Sequence, residues 1–193
     1  MVIDISQEVL SAAVFPGDPK PFVELLLTIQ DGEDCNLSAL SMCVHNGTHV
    51  DAPFHFFDEG KTIEQFDVEA FVGDCFVTRH EGDVSAEDAL HILEQANALG
   101  AGERILIAGK ATVTADAAKV FARAKIRLIG NESQTVGPEN APMEVHKILL
   151  GAEVVLLEGI VLKDVPTGKY LLSAAPLNLA GCDGSPCRAV LIR

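Results

Sequence analysis

Short apolar blocks bounded by turn residues dominate both ends of the chain, and helical spacing of apolar positions is confined to its middle. Val2–Ser6 and Phe22–Ile29 read as strands, separated by the strong turn signal Phe15-Pro16-Gly17-Asp18-Pro19. Leu40–Val44 and Ala70–Thr78 read as two more strands. Ser85 predicts an N-cap, with Glu87 and Asp88 in the first helical turn. Ala89, Leu90, Leu93, Ala96 and Leu99 then recur at helical spacing until Gly100 or Gly102 ends the run. Arg104–Ala108 is a short buried strand, Thr114 caps a second helix through Ala124, and Ile126–Ile129 follows as a strand. Pro142 opens a third helix through Leu150, before strands at Val154–Leu157, Tyr170–Ala174 and Arg188–Ile192. Strand–helix alternation between strand-rich ends defines an α/β, or mixed α+β, class.

Composition narrows this picture. A chain of 193 residues, 48% of them hydrophobic, suits one well-buried core and is read as a single domain over residues 1–193. The formal net charge of −14 gives no electrostatic footprint for nucleic acid and disfavours anionic membrane surfaces. No apolar stretch approaches the roughly 18 residues of a membrane span, and Met1–Ser6 lacks the basic start of a signal peptide. Five cysteines, an odd set without CxxC spacing, are expected to be buried or semi-buried thiols of a cytoplasmic protein.

The candidate chemistry lies in His45-Asn46-Gly47-Thr48-His49-Val50-Asp51-Ala52-Pro53-Phe54-His55, which carries three of the six histidines. A helix would place His45 and His49 on one face, but Gly47, Thr48, Val50 and Pro53 oppose it, and Asn46 stands where a zinc protease needs Glu. In a straight strand the two histidines would lie roughly 13 Å apart, too far to share one ion. A backbone bent at Gly47, with Pro53 turning the chain before His55, can converge His45, His49 and Asp51 on a metal.

Downstream, Glu158 is the one charge within the apolar run Val154–Leu162, where a carboxylate is expensive unless paired or bound to a cation. His146 sits at the boundary of the third helix's apolar positions. His80 and His91 read as solvated, and Cys182 and Cys187 as flanking a turn between strands.

Together these residues resemble the cyclase family of metal-dependent hydrolases, which includes the bacterial kynurenine formamidases. His45 through His55 match every specified position of its H-x-G-[TA]-H-x-D-x-P-x-H signature. The likeness extends to Phe15–Pro19, His146–Leu150 with Glu158, Val165–Tyr170, Ala175–Leu177 and Gly184–Ala189, so it covers nearly the whole chain.

The resemblance implies a swivelling β/β/α-type fold, a homodimer, and one or two bound ions. His45, His49 and Asp51 correspond to ligands of a first ion, with Asp51 able to bridge; His146 and Glu158 correspond to ligands completing a second. His55 corresponds to the catalytic acid/base. Mixed histidine and carboxylate donors suit Zn²⁺ best, with Mn²⁺ possible. The implied reaction is hydrolysis of a small-molecule amide such as N-formylkynurenine, giving formate and kynurenine. The alternatives are another cyclic or acyl amide such as isatin, or a non-catalytic homologue that keeps the metal or binds a ligand. Two segments depart from the family pattern and bear on the substrate: the short passage Gly109–Ala111 into the second helix, and Gly130-Asn131-Glu132-Ser133, where an aspartate is usual in place of Glu132.

Overall fold

The computed structural model describes residues 1–193. The chain forms thirteen strands and three α-helices: β1 Val2–Asp4, β2 Phe22–Leu27, β3 Leu37–Ser41, β4 His49–Asp51, β5 Val72–Arg79, β6 Gly82–Val84, α1 Ala86–Ala98, β7 Arg104–Ala108, β8 Ala111–Val113, α2 Ala115–Ala124, β9 Leu128–Asn131, α3 Met143–Gly151, β10 Val155–Glu158, β11 Gly168–Ser173, β12 Gly184–Pro186 and β13 Val190–Ile192. Nine strands make one mixed sheet in the order β1-β13-β11-β5-β7-β9-β10-β4-β12. Its centre, β5-β7-β9-β10, is parallel, as expected where helices connect the strands, and both flanks are antiparallel.

The central strands are buried on both faces, and the two-residue period divides their side chains between two cores. Ile105 and Ile107 of β7 join Ala89, Ile92, Phe121, Leu149 and Leu150 under the helices. Leu106 and Ala108 face the other way, packing with Val50 of β4, Leu157 of β10 and Leu191 of β13. Residues near opposite ends of the strand order thus share one core, and Ile5 ties the flanks together. Its N–H donates to Ala189 before β13, and its carbonyl accepts from Val161 after β10. The result is a mixed α/β fold around a large curled sheet.

The helix caps form where the side chains dictate. Ser85 Oγ accepts from Asp88 N–H while the Asp88 carboxylate accepts from Ser85 N–H, a reciprocal capping box. Thr114 Oγ1 accepts from Ala117 N–H at the start of α2. Elsewhere long-range pairing shifted the expected boundaries. The strand expected at Leu40–Val44 lies at Leu37–Ser41, because pairing with β2 sets its register and the chain then turns, Asn46 N–H donating to Cys43 carbonyl. The passage after β7 holds a strand, β8, which pairs with β6 before α2 begins. Cys182 and Cys187 flank β12, itself a strand in place of the expected turn; all five cysteines are free, and Cys35, on the loop between β2 and β3, is exposed rather than buried or semi-buried.

The hairpin β2–β3 stands apart from the main sheet. Val23 and Leu25, with Leu40 directly opposite Val23, are about half exposed or more, at 45%, 63% and 56%.

Candidate metal centre and active site

The histidine segment is delivered by β4, which lies between β10 and β12. The sequence suggested a loop for His45–Asp51; in the fold its second half is a strand, His49–Asp51, and the bend comes earlier. Gly47 adopts a left-handed φ of 66°, a conformation that glycine accepts without steric cost. The bend brings the His45 and His49 rings to 5.2 Å between centroids. His49 and Asp51 share one face of β4, and the register sets Glu158 of β10 directly opposite His49. His146 approaches from α3, and His55 ends the short 3-10 turn opened by Pro53.

Five donors converge. His49 Nε2 lies 3.3 Å from Asp51 Oδ1 and 3.4 Å from Glu158 Oε2. His146 Nε2 lies 3.5 Å from Asp51 Oδ2 and 3.3 Å from Glu158 Oε1. His45 Nδ1 lies 2.8 Å from Asp51 Oδ1. Asp51, 1% exposed, is therefore common to all three histidines.

This donor set fits a divalent cation. His49 Nδ1 is 2.9 Å from the Gly47 carbonyl and His146 Nδ1 is 3.0 Å from the Pro142 carbonyl. A carbonyl can only accept, so each Nδ1 carries a proton and each Nε2 is turned toward the carboxylates, the backing arrangement common for metal-binding histidines. Atoms bound at ~2.0–2.2 Å to one ion lie roughly 3–3.5 Å from each other, which is the spacing found here. Two triads are compact enough to hold an ion, His45/Asp51/His55 and His49/Asp51/Glu158, and they share Asp51.

Electrostatics point the same way. Asp51 and Glu158 are buried side by side, and no Lys or Arg lines the cleft around them. Such charges need a cation or protonated histidines. Burial pulls the His45 and His146 imidazoles down, but hydrogen bonds to the facing carboxylates outweigh it. His45 rises to about 9 through Asp183 and Asp51, and His146 to about 10 through Asp51 and Glu158. His49 is raised in the same manner. Burial would raise Asp51, yet hydrogen bonds from His146, His45 and His49 hold it well below the usual carboxylate range.

The cleft has a volume of about 240 Å³ and is walled by Phe15, Phe56, Gln134, Thr135 and Pro142. Of the phenylalanines near the motif, Phe54 and Phe57 do not line it. A larger cleft of about 470 Å³ beside Lys61, Lys125 and Arg127 shares no residue with it and holds no histidine. All six residues singled out from the sequence, His45, His49, Asp51, His55, His146 and Glu158, meet in this one cleft. His80 bonds instead to the Asp83 carbonyl, and His91 is exposed on α1. Glu132 lies outside the cleft, accepting from Gly109 and Leu162 N–H and so tying the short passage after β7 to the loop after β10.

Sequence reasoning missed Asp183. Its Oδ2 lies 2.8 Å from His45 Nε2 and 3.1 Å from His55 Nδ1. These two imidazoles hold the Asp183 carboxyl far below its ordinary range. Preceding Gly184-Ser185-Pro186, it carries only the signal of a turn residue.

The family profile described as "Putative cyclase" matches residues 3–138. The chain belongs to this family. Among its relatives, the kynurenine formamidase of Bacillus cereus (strain ZK / E33L) is 36% identical over 204 residues, covering 98% of this chain and 96% of the relative. A solved structure described as a potential metal-dependent hydrolase with cyclase activity superposes with a TM-score of 0.80 at 30% identity, covering 99% and 96% of the two chains. Isatin hydrolase A from Labrenzia aggregata, bound to benzyl benzoate, shares the fold, with a TM-score of 0.82 at 21% identity and coverage of 99% and 93%.

Proposed function

We propose that this protein is a metal-dependent hydrolase of carbon–nitrogen bonds whose substrate is an N-formyl aryl amide of the N-formylkynurenine type. The observation that carries the reading is the sharing of one buried carboxylate, Asp51, by His45, His49 and His146 in a cleft free of Lys and Arg. The kynurenine formamidase relatives match along nearly their whole length. His45, His49 and Asp51 would hold one ion and His146 and Glu158 a second, with Asp51 between them; Zn²⁺ is the preferred ion and Mn²⁺ is compatible with the donors. When bound, such an ion supplies Lewis acidity, making water acidic enough to react near neutral pH and polarising the scissile carbonyl.

His55 is the proton carrier. It sits at the more open side of the site, its side chain 30% exposed, and stacks on His45 at 4.1 Å between ring centroids. Its Nε2 takes a proton from the attacking water and returns one to the leaving nitrogen, so hydroxyl adds to the formyl carbon as the C–N bond breaks. Phe56 and Phe15 offer the aryl group apolar walls. The products are formate and the free amine.

The exposed apolar hairpin supports a homodimer, since an isolated two-stranded sheet is only marginally stable in water. No helix is long and apolar enough to cross a membrane, and a cytoplasmic location accords with five free cysteines.

A second reading, hydrolysis of a cyclic amide such as isatin, draws on the fold shared with isatin hydrolase A and on the small cleft. Purified protein assayed on N-formylkynurenine, isatin and a panel of simple formamides, with and without chelator, separates the two. Formate release that chelation abolishes supports the proposal. Faster isatin turnover selects the second reading, and retained metal with no turnover on any amide contradicts both.

A further inference from the structure

We infer that Asp183 is a positioning residue that sets the tautomers of His45 and His55 together, an inference that rests on the amide-hydrolase reading above. One oxygen, Asp183 Oδ2, faces two ring nitrogens, His45 Nε2 at 2.8 Å and His55 Nδ1 at 3.1 Å. An ionised carboxylate only accepts, so both of those nitrogens carry protons. His45 turns its other nitrogen, Nδ1, toward Asp51 Oδ1 at 2.8 Å, where it shares a proton with that carboxylate until an ion takes the proton's place. In the neutral ring of His55, Nε2 is then the nitrogen able to accept a proton.

The backbone holds Asp183 to this task. Its carbonyl accepts from Ala52 N–H, and the carbonyl of Cys182 accepts from Ile63 N–H, so Asp183 and the residue before it are anchored to the histidine segment and the stretch just after it. The next residue, Gly184, gives His45 room: a Cβ there would lie 2.8 Å from His45 Cε1. Asp183 does not line the cleft that holds the five donors and meets only the outward nitrogens of His45 and His55, so its part is orientation of the rings that do the chemistry. An amide at this position would offer an N–H to one ring and favour the opposite tautomer. A carboxylate that backs a metal-binding histidine typically contributes about 10–100-fold in affinity or activity.

The test uses zinc-loaded, 15N-labelled protein. Multiple-bond 1H–15N spectra assign the ring protons, zinc affinity is measured by chelator competition, and kcat and KM are measured for formate release. In the wild type, His55 carries its proton on Nδ1 and His45 on Nε2. Asp183→Asn is expected to change at least one tautomer, lower kcat about 10–100-fold with KM within threefold, and weaken zinc about tenfold. Asp183→Ala, which removes the acceptor and adds no donor, gives the same losses. Unchanged ring tautomers, with zinc affinity and kcat within twofold in both variants, would overturn the inference. Should wild-type protein release no formate, the hydrolase reading fails, while the spectra and zinc affinity still decide the role of Asp183.

Discussion

Glu158 stands directly opposite His49 in the antiparallel pairing of β4 with β10, and its Oε2 lies 3.4 Å from His49 Nε2. A cross-strand pair of this kind is fixed by sheet register. A one-residue slip of β4 would send His49 and Asp51 to the opposite face together. The His49, Asp51 and Glu158 part of the candidate metal centre is therefore placed by the sheet register. Glu158 is further fixed by Val136 N–H, which donates to its Oε1 at 2.7 Å.

Asp51 is the first place to break the site. Asp51→Asn keeps the shape but removes the charge that three histidines share. The variant is expected to retain less than one metal per chain and to lose more activity than the 10–100-fold typical of an outer contact. Metal content by mass spectrometry alongside kcat checks this; wild-type metal content in Asp51→Asn contradicts the assignment.

Protons and metal compete for the same histidines. In metal-free protein, His45 and His146 titrate at about 9 and about 10, above the ~6.5 of an unfolded histidine. The stability they contribute is complete below pH ~6.5 and is lost as pH rises through 9 to 10. Asp51 has the opposite sign: depressed on folding, its contribution is present above ~3.9 and lost as pH falls through its lower folded value. Zinc binding must displace protons from the rings. The rise in Tm on adding zinc should therefore grow between pH 6.5 and 9, and calorimetry in buffers of different ionisation heat should show proton release. A zinc-induced rise that shrinks over this range contradicts competition between protons and metal for these rings.

The donors of the histidine segment were legible because they are close in sequence and separated by residues that bend the chain. Glu158 was legible because it is a lone charge in an apolar run. The strand β4 was not, since three residues carry too little periodicity and its partners lie far along the chain at Leu156–Glu158 and Gly184–Pro186. Asp183 was invisible for a related reason: 138 residues separate it from His45, and an aspartate before glycine reads as a turn. Helix starts at Ser85 and Thr114 were readable because capping is local chemistry.

The exposed hairpin predicts assembly. Val23 and Leu40 face each other across β2 and β3 and present apolar surface to solvent. Sedimentation should give a dimer of the 20.5 kDa chain, and the double variant Val23→Glu, Leu40→Glu should shift it to monomer. A wild-type monomer, or a dimer insensitive to both charges, removes this interface.

Thiol reactivity should follow burial. Burial pushes the Cys75 and Cys187 thiols up to about 12, so both stay protonated and inert, whereas Cys35 is exposed. Iodoacetamide on the native protein should label Cys35 first and leave Cys75 and Cys187 untouched until denaturant is added. Peptide mass spectrometry reads the order, and early labelling of Cys75 would mean that the core around β5 opens readily.

On the proposed function, hydrolysis depends on metal held by the cluster around Asp51. The most direct measurement titrates chelated protein with Zn²⁺ while recording, on the same samples, bound metal per chain and formate released from N-formylkynurenine. Activity should rise in proportion to bound metal and saturate at one or two ions per chain, with Asp51→Asn staying below one ion per chain and far below wild-type turnover over the same range. Full activity in the chelated protein, or zinc uptake by Asp51→Asn equal to wild type, would contradict it.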